Sequence, residues 1–551
     1  MSTTDWQALI REKRAFRDSR IPAEWRLDER ITSQAHRDNP ISAFDLLHQT
    51  NLLTKREREI TEKYDATALL SKLASGTLSS LEVTTAFCKR AAIAQQLINP
   101  LTEIFFDKAL ERAKELDAYL AREGKPIGPF HGLPISLKDM WMVKGEAATL
   151  GFVAYLPKPV AEENSPIVDI LLEDGAVFYC KTNVPQGLFS MEGENNVFGV
   201  TLNPHKLTLG AAGSSTGEGA LVGFRGSPLG LGTDIGGSIR SPSLVNGCYG
   251  FKPTANRIPF SGQQFHFPKG WPGVLPSAGP HANSARDLTY FCKAIVANDG
   301  WRRDPTALAI PWINVPKRKL KIGYWEGAPE SPVFPPILRA LREAAEALKA
   351  AGHEIVPLST PQGAGTLDCA GIYVHSLGFD TKATLMQFLD DADEEILPAM
   401  KDMRQMMAGM PKSTLDDVWK FNGDRGDYRL AWHNKWAETG MDVLLCPAHQ
   451  GTGMPHWGYG LPVYTIIWNL LDCPATVIPF LKANKKIDTE EVEGCKSPLY
   501  SPVGLSPYDA NALDGAPAHV QVVGWSLRDE EVLMATEVIA DVLENISKAQ
   551  L

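Results

Sequence analysis

The chain lacks any block of Lys and Arg. Its 55 basic residues are outnumbered by 65 acidic ones, leaving a formal charge of −10. Binding to a phosphate backbone needs clustered cations, so nucleic acid is not expected as a partner. No apolar run approaches the roughly 18 residues that would span a bilayer. The start, Met1 to Trp6 followed by charged positions, has no apolar segment of the secretory type. The final Ala549, Gln550 and Leu551 match a peroxisomal tripeptide only at the last residue. A cytoplasmic location is the resulting expectation. The eight cysteines (Cys88, Cys180, Cys248, Cys292, Cys369, Cys446, Cys473 and Cys495) lie far apart and form no C-x-x-C pair. They read as buried thiols in a reducing compartment rather than as a disulfide framework. The twelve histidines show no metal-ligand spacing. No metal or organic cofactor is expected.

Nucleotide-binding loops are missing too. The glycines of 230–237 have the wrong spacing for a dinucleotide fingerprint, and the stretch 252–262 brings no acidic residue to hold a ribose. No glycine loop is followed by a Lys-Ser or Lys-Thr pair of the P-loop type.

What remains is an ordinary globular composition, 44% hydrophobic and 22% charged over 551 residues. Residues 1–64 read as an N-terminal helical extension, with helical character at 5–17 and 57–62. The alternative, a dimerisation or membrane-surface arm, is disfavoured by the short apolar stripe. Helices are expected at 66–74, from Ser79 with Glu82 as a capping box to about 97, and at 107–123. Strands are expected at 101–106, 133–137, 177–181 and 228–233. Further on, strand 320–325, helix 335–351, the stop Gly352 and strand 353–358 make a βαβ-like unit. Residues 360–440 read as helices and loops near the mouth of a site. Strands at 442–447, 475–479 and 519–524 and a helix at 529–546 close the chain. Helix alternating with short buried strand points to an α/β layered sheet in one large domain.

Two serine loops carry the chemistry. Gly213-Ser214-Ser215-Thr216-Gly217 is followed by Gly232-Thr233-Asp234-Ile235-Gly236-Gly237-Ser238-Ile239-Arg240. Glycine at this density suits backbone that must approach a ligand closely. Hydroxyls set among bare N–H groups are what acyl transfer needs, a nucleophile beside donors for an oxyanion. Ser238 is expected at a helix start after the strand 228–233, with the N–H groups of Ile235, Gly236, Gly237 and Ser238 pointing together. Lys138 ends the apolar run 133–137. Taken alone, it reads more readily as a strand-end lysine reaching solvent than as a buried base.

Residues 134–139, 213–220 and 232–240 resemble, in order and spacing, the amidase signature family. The likeness covers nearly the whole chain, and the stretches 87–96, 181–186 and 515–517 are similar to its fungal acetamidase and general amidase branch. The resemblance implies one large amidase signature domain over 65–551, with its core motif at 130–262 and a mixed sheet covered by helices. It implies a Ser–Ser–Lys triad: Ser238 as nucleophile, Ser214 as the bridging serine on a cis peptide, and Lys138 as base. Ile235, Gly236, Gly237 and Ser238 then form the oxyanion hole. Ser215, Asp234 and Arg240 brace the loops, and Leu188 and Phe189 line the acyl pocket. The implied reaction is hydrolysis of a small-molecule carboxylic acid amide through an acyl-enzyme. A homodimer is left open.

Relatives usually have glycine where this chain has Ala212 and Thr216. Ala212 reads as a mild change. The β-branched Thr216 would strain the loop if the position requires φ > 0. Pocket walls are expected from 140–160, 188–198, 262–275 and 370–470, and Trp141, Trp271, Met403, Met406 and Met407 read as pocket or core. Three alternatives stand beside this reading. The same triad could serve an esterase. Gly213 to Gly217 also satisfies G-x-S-x-G, which would make Ser215 the nucleophile of an α/β-hydrolase with His131-Gly132 upstream and His456 or His519 as base. The preceding residues 203–210, however, read as loop rather than strand. Third, the chain could be a subunit of a larger complex or a binding homologue with little activity.

Overall fold

Short apolar runs bounded by turn residues form strands buried on both faces, and helices cover them. The computed structural model describes residues 6–410, 412–490 and 505–549. Cys495, Met1 to Asp5, Gln550 and Leu551 lie outside these. The strands are β1 (Leu101–Ile104), β2 (Pro134–Lys138), β3 (Val177–Thr182), β4 (Glu194–Asn195), β5 (Gly199–Val200), β6 (Leu229–Asp234), β7 (Tyr249–Lys252), β8 (Ser277–Ala282), β9 (Lys321–Tyr324), β10 (Glu354–Pro357), β11 (Val443–Cys446), β12 (Ala475–Lys482) and β13 (Pro517–Val523). Eleven of them build one mixed sheet in the order β1–β3–β2–β6–β8–β7–β12–β13–β11–β9–β10, and β4 pairs with β5 apart from it. This is a large α/β domain.

Toward the β1 end of the sheet, β3, β2 and β6 run parallel, and β8 turns antiparallel against β6. The helices Ala285–Ala297, Pro335–Ala350 and Asp529–Ala549 pack on one another and on strands of the sheet. So do Thr216–Gly223 and Arg240–Asn246, which lean on each other against β6, β7 and β12. The βαβ-like unit forms as expected, with β9 and β10 parallel on either side of Pro335–Ala350.

Several boundaries differ from expectation for local reasons. Leu101 to Ile104 is the strand, and Phe106 already opens the next helix. At Ser79 only half of a capping box forms: its hydroxyl accepts from Glu82 N, while the Glu82 carboxylate goes to Arg56. Residues 360–440 are helical as expected, in Thr366–Leu377, Thr384–Asp391, Pro398–Gly409 and Leu415–Thr439. The seven described cysteines are buried and unbridged. Among the described residues no helix is long and apolar enough to cross a membrane.

Candidate active site

Parallel pairing of β2 with β6, through Ser136 opposite Gly230 and Leu137 opposite Leu231, brings Lys138, Thr233 and Asp234 to one edge of the sheet. Space beyond the carboxyl ends of such strands is where α/β sheets hold ligands. The helix Thr216–Gly223 packs directly on β2 and β6. Glycine in β6 makes that approach possible: a Cβ on Gly230 would overlap Glu218 Oε2, and one on Gly232 would stand 2.8 Å from Ser215 Oγ. The loop before this helix is thereby laid against the strand ends.

Lys138 does not reach solvent. It is 0% exposed, and its Nζ donates to Ser214 Oγ at 2.8 Å and to Thr233 Oγ1 at 2.9 Å. Burial pushes its pKa down to about 7, against the opposing pull of Asp234, Glu218 and Asp139. A large fraction of the amine is therefore neutral at neutral pH and holds a free lone pair. The peptide bond between Gly213 and Ser214 is cis.

The second loop is organised by Asp234. Its carboxylate accepts from the N–H groups of Gly237 (2.8 Å) and Ile239 (3.1 Å), and from Arg240 through Nε at 3.1 Å. Both side chains are fully buried, and Arg240 with its neighbours holds the Asp234 carboxyl well below the usual carboxylate range. Arg240 in turn donates to Asn469 Oδ1 (2.6 Å) and Gln521 Oε1 (3.0 Å). One expectation changes here. The helix begins at Arg240, so Ser238 sits two residues ahead of it. Gly237, at φ +129°, gives its N–H to Asp234. Ile235, Gly236 and Ser238 line the cavity, and no protein acceptor among the described residues takes their N–H groups.

Ser238 lines two cavities. The larger, about 180 Å³, is mostly apolar, with Leu188, Phe189, Met191, Tyr373, Leu377, Met403, Met406, Trp457 and Ile466 in its walls. The smaller, about 20 Å³, is bounded by Met140, Phe189, Ser214, Thr233, Phe260, Phe265, His266 and Phe267. Segments 188–198 and 370–470 thus line the large cavity, whereas Met140 and 265–267 face only the small one. Trp141 is core, donating to Leu231 O at 3.1 Å. Trp271 stacks on Phe267 with ring centroids 4.6 Å apart. Met407 packs against the hydrophobic core.

Ser215 lines neither cavity. It is buried, and its Oγ bonds Thr233 O and accepts from Thr233 N, at 3.2 and 3.3 Å. The proposed histidine partners are engaged elsewhere. His456 bonds Glu192 (2.8 Å), His519 accepts from Ala448 N (3.4 Å), and His131 accepts from Ile127 N (3.2 Å). Among the described residues no three His, Cys, Asp or Glu side chains are grouped to hold a metal ion.

The model of the amidase family matches residues 82–533. The chain belongs to the amidase family. It is a hydrolase of carbon–nitrogen amide bonds. An amidase of Gibberella moniliformis is 49% identical over 548 residues, covering 99% of this chain and 100% of the relative. An acetamidase of Emericella nidulans is 35% identical, covering 98% and 99%. Among solved structures, a fatty acid amide hydrolase superposes with a TM-score of 0.92 at 32% identity, covering 98% of this chain and 95% of that one.

In this amidase the strain falls on a different residue from the one expected. Thr216 is the first residue of a helix, with its side chain in room left by Gly193, where a Cβ would overlap it. Ala212, expected to be mild, sits at φ +56° in the left-handed region. Leu188 does the same at φ +62°. Sequence reading missed Thr233, Glu218, Thr465, Asn469 and Gln521 as parts of the site. Thr465 Oγ1 donates to Gly236 O at 2.7 Å, and Asn469 Nδ2 donates to Asp234 Oδ1 at 2.9 Å. They arrive from a helix more than 200 residues later, with no local pattern to mark them.

Proposed function

We propose that the chain hydrolyses a carboxylic acid amide to the acid and ammonia or an amine through Ser238, Ser214 and Lys138. The observation that carries this reading is the 2.8 Å contact between a fully buried lysine and Ser214, beside Ser238, at the end of two parallel strands. Neutral Lys138 takes the Ser214 proton while Ser214 takes the proton of Ser238, whose Oγ attacks the amide carbon. The N–H groups of Ile235, Gly236 and Ser238 receive the developing oxyanion. As the C–N bond breaks, the nitrogen takes a proton from Ser214, which is resupplied by the Lys138 ammonium. Water then cleaves the Ser238 ester by the same route, returning the serine and releasing the acid.

Asp234 and Arg240 hold the turn that carries Ser238, and Ser215 holds Ser238 through its own N–H, which donates to Ser238 O at 3.0 Å. Leu188 and Phe189 belong to the acyl wall. The apolar lining of the larger cavity supports an acyl group of several carbons. Hexanamide is a fitting test substrate. Ser238→Ala and Lys138→Ala should each lower kcat/KM by about 10³-fold or more, and the double variant should fall little further because the groups act as a unit. Full activity in Ser238→Ala would refute the assignment.

A further inference from the structure

The two cavities that meet at Ser238 differ in size and chemistry, and only one of them touches the proton donor for the departing nitrogen. Ser214 lines the small chamber and not the large cavity. On the Ser–Ser–Lys reading, on which this inference rests, the nitrogen must face Ser214 as the C–N bond breaks. The leaving group therefore enters the small chamber, and the acyl group lies in the large apolar cavity.

The chamber holds about 20 Å³, room for roughly one water-sized molecule. Its walls include Phe189, Phe260, Phe265 and Phe267, packed against one another with ring centroids 5.4 to 6.2 Å apart. Rings so packed yield only at a cost in contacts, so a substituent of benzyl size on the nitrogen has no place there. Ammonia has.

His266 stands in the same wall. It is 2% exposed, its ring lies 4.8 Å from that of Phe267 and 5.8 Å from that of Phe189, and neither ring nitrogen has a hydrogen-bond partner among the described residues. A buried polar group without a partner is unusual enough to require a reason. We propose that the amidase acts on primary amides and that His266 is the specificity-determining residue for them, its bare ring nitrogen accepting a hydrogen bond from the carboxamide NH₂ and the departing ammonia. The imidazole is in the state this needs, since burial and the nearby Lys138 push its pKa down to about 3 and leave it neutral, with one acceptor and one donor. In the leaving step the carbon–nitrogen bond breaks, nitrogen takes the Ser214 proton, and ammonia departs past His266. The acyl group stays on Ser238.

The test compares hexanamide, N-benzylhexanamide and methyl hexanoate as substrates. Wild-type enzyme should prefer the primary amide over the N-benzyl amide in kcat/KM by about a hundredfold or more. His266→Leu removes the acceptor while keeping bulk. It should cost about tenfold in kcat/KM for hexanamide, the worth of one lost hydrogen bond in the transition state, and less than about threefold for the ester, which offers no N–H. His266→Ala should narrow the preference by making room for the larger amine. An N-benzyl amide cleaved by wild-type enzyme within about tenfold of hexanamide would overturn the proposal. So would an equal loss on amide and ester in His266→Leu, as a merely structural role predicts. The wild-type comparison requires no variant to fold. Ser238→Ala, assayed alongside, separates the two readings: its inactivity together with an unselective wild type would sink the chamber proposal and leave the triad standing.

Discussion

Lys138 makes the reaction sensitive to pH because its neutral form is the base. With its pKa lowered to about 7 by burial, the neutral fraction rises as pH passes upward through that value. The expected profile of kcat/KM climbs about tenfold per pH unit on the acid side and levels off near pH 8. A profile flat between pH 5.5 and 8 would contradict the role. The sign for stability follows from the same shift. Between pH 7 and the unfolded lysine value of about 10.4 the unfolded chain holds a proton that the folded chain lacks, so this residue's contribution grows more favourable as pH rises through that window. Ala212 and Thr216 offer a second test at this scale. Ala212 at φ +56° carries a left-handed strain of about 1–2 kcal/mol that glycine escapes, part of it offset by glycine's greater unfolded entropy. Ala212→Gly should raise stability by up to about 1 kcal/mol in chemical denaturation, whereas Thr216→Gly, on a helix, should lower it by about 1 kcal/mol. The opposite order would refute this account of the first loop. Sequence alone placed the burden on Thr216, because φ at a glycine-rich turn is not written in residue types.

The turn from β6 into the helix Arg240–Asn246 is the element on which the nucleophile depends. Asp234 gathers Gly237, Ile239 and Arg240 onto one buried carboxylate, and Asn469 and Gln521 hold Arg240 from outside the turn. Removing one partner of a buried ion pair strands the other. Arg240→Ala should therefore cost about 3–5 kcal/mol of stability, measured by denaturant unfolding, and lower activity with it. A change below about 1 kcal/mol would mean that the pair does not hold the loop. Strand β6 itself was legible from its glycines and bounded apolar run. The next two strands of the sheet, β8 and β7, were not. β7 spans only four residues, β8 carries Pro280 opposite Leu231 in the middle of the sheet, and neither shows the alternation that marks a strand. They are strands because the sheet around them supplies the pairing.

For the molecule as a whole, the alternation of helix and buried strand announced the α/β class, and the βαβ-like unit of β9 and β10 formed where it was expected. Strand order was beyond local reading, since β12 and β13 enter the sheet between β7 and β11 from the far end of the chain. The N-terminal helix Trp6–Ser19 is tied to the same body: Lys13 pairs with buried Glu103 on β1 at 2.5 Å, and Arg14 donates to Val197 O and Asn196 O. This long-range assembly spans Lys138, Ser214 and Ser238, which are 100 residues apart in sequence from first to last: Ser214 and Ser238 line one small chamber, and Lys138 donates to Ser214. The central claim is that Ser238 is the nucleophile and Lys138 activates it. Reaction with a fluorophosphonate, followed by peptide mass mapping, tests it most directly. The account predicts a single adduct on Ser238 that is lost in folded Lys138→Ala. An adduct on Ser215, or one on Ser238 that forms equally fast without the lysine, would contradict it.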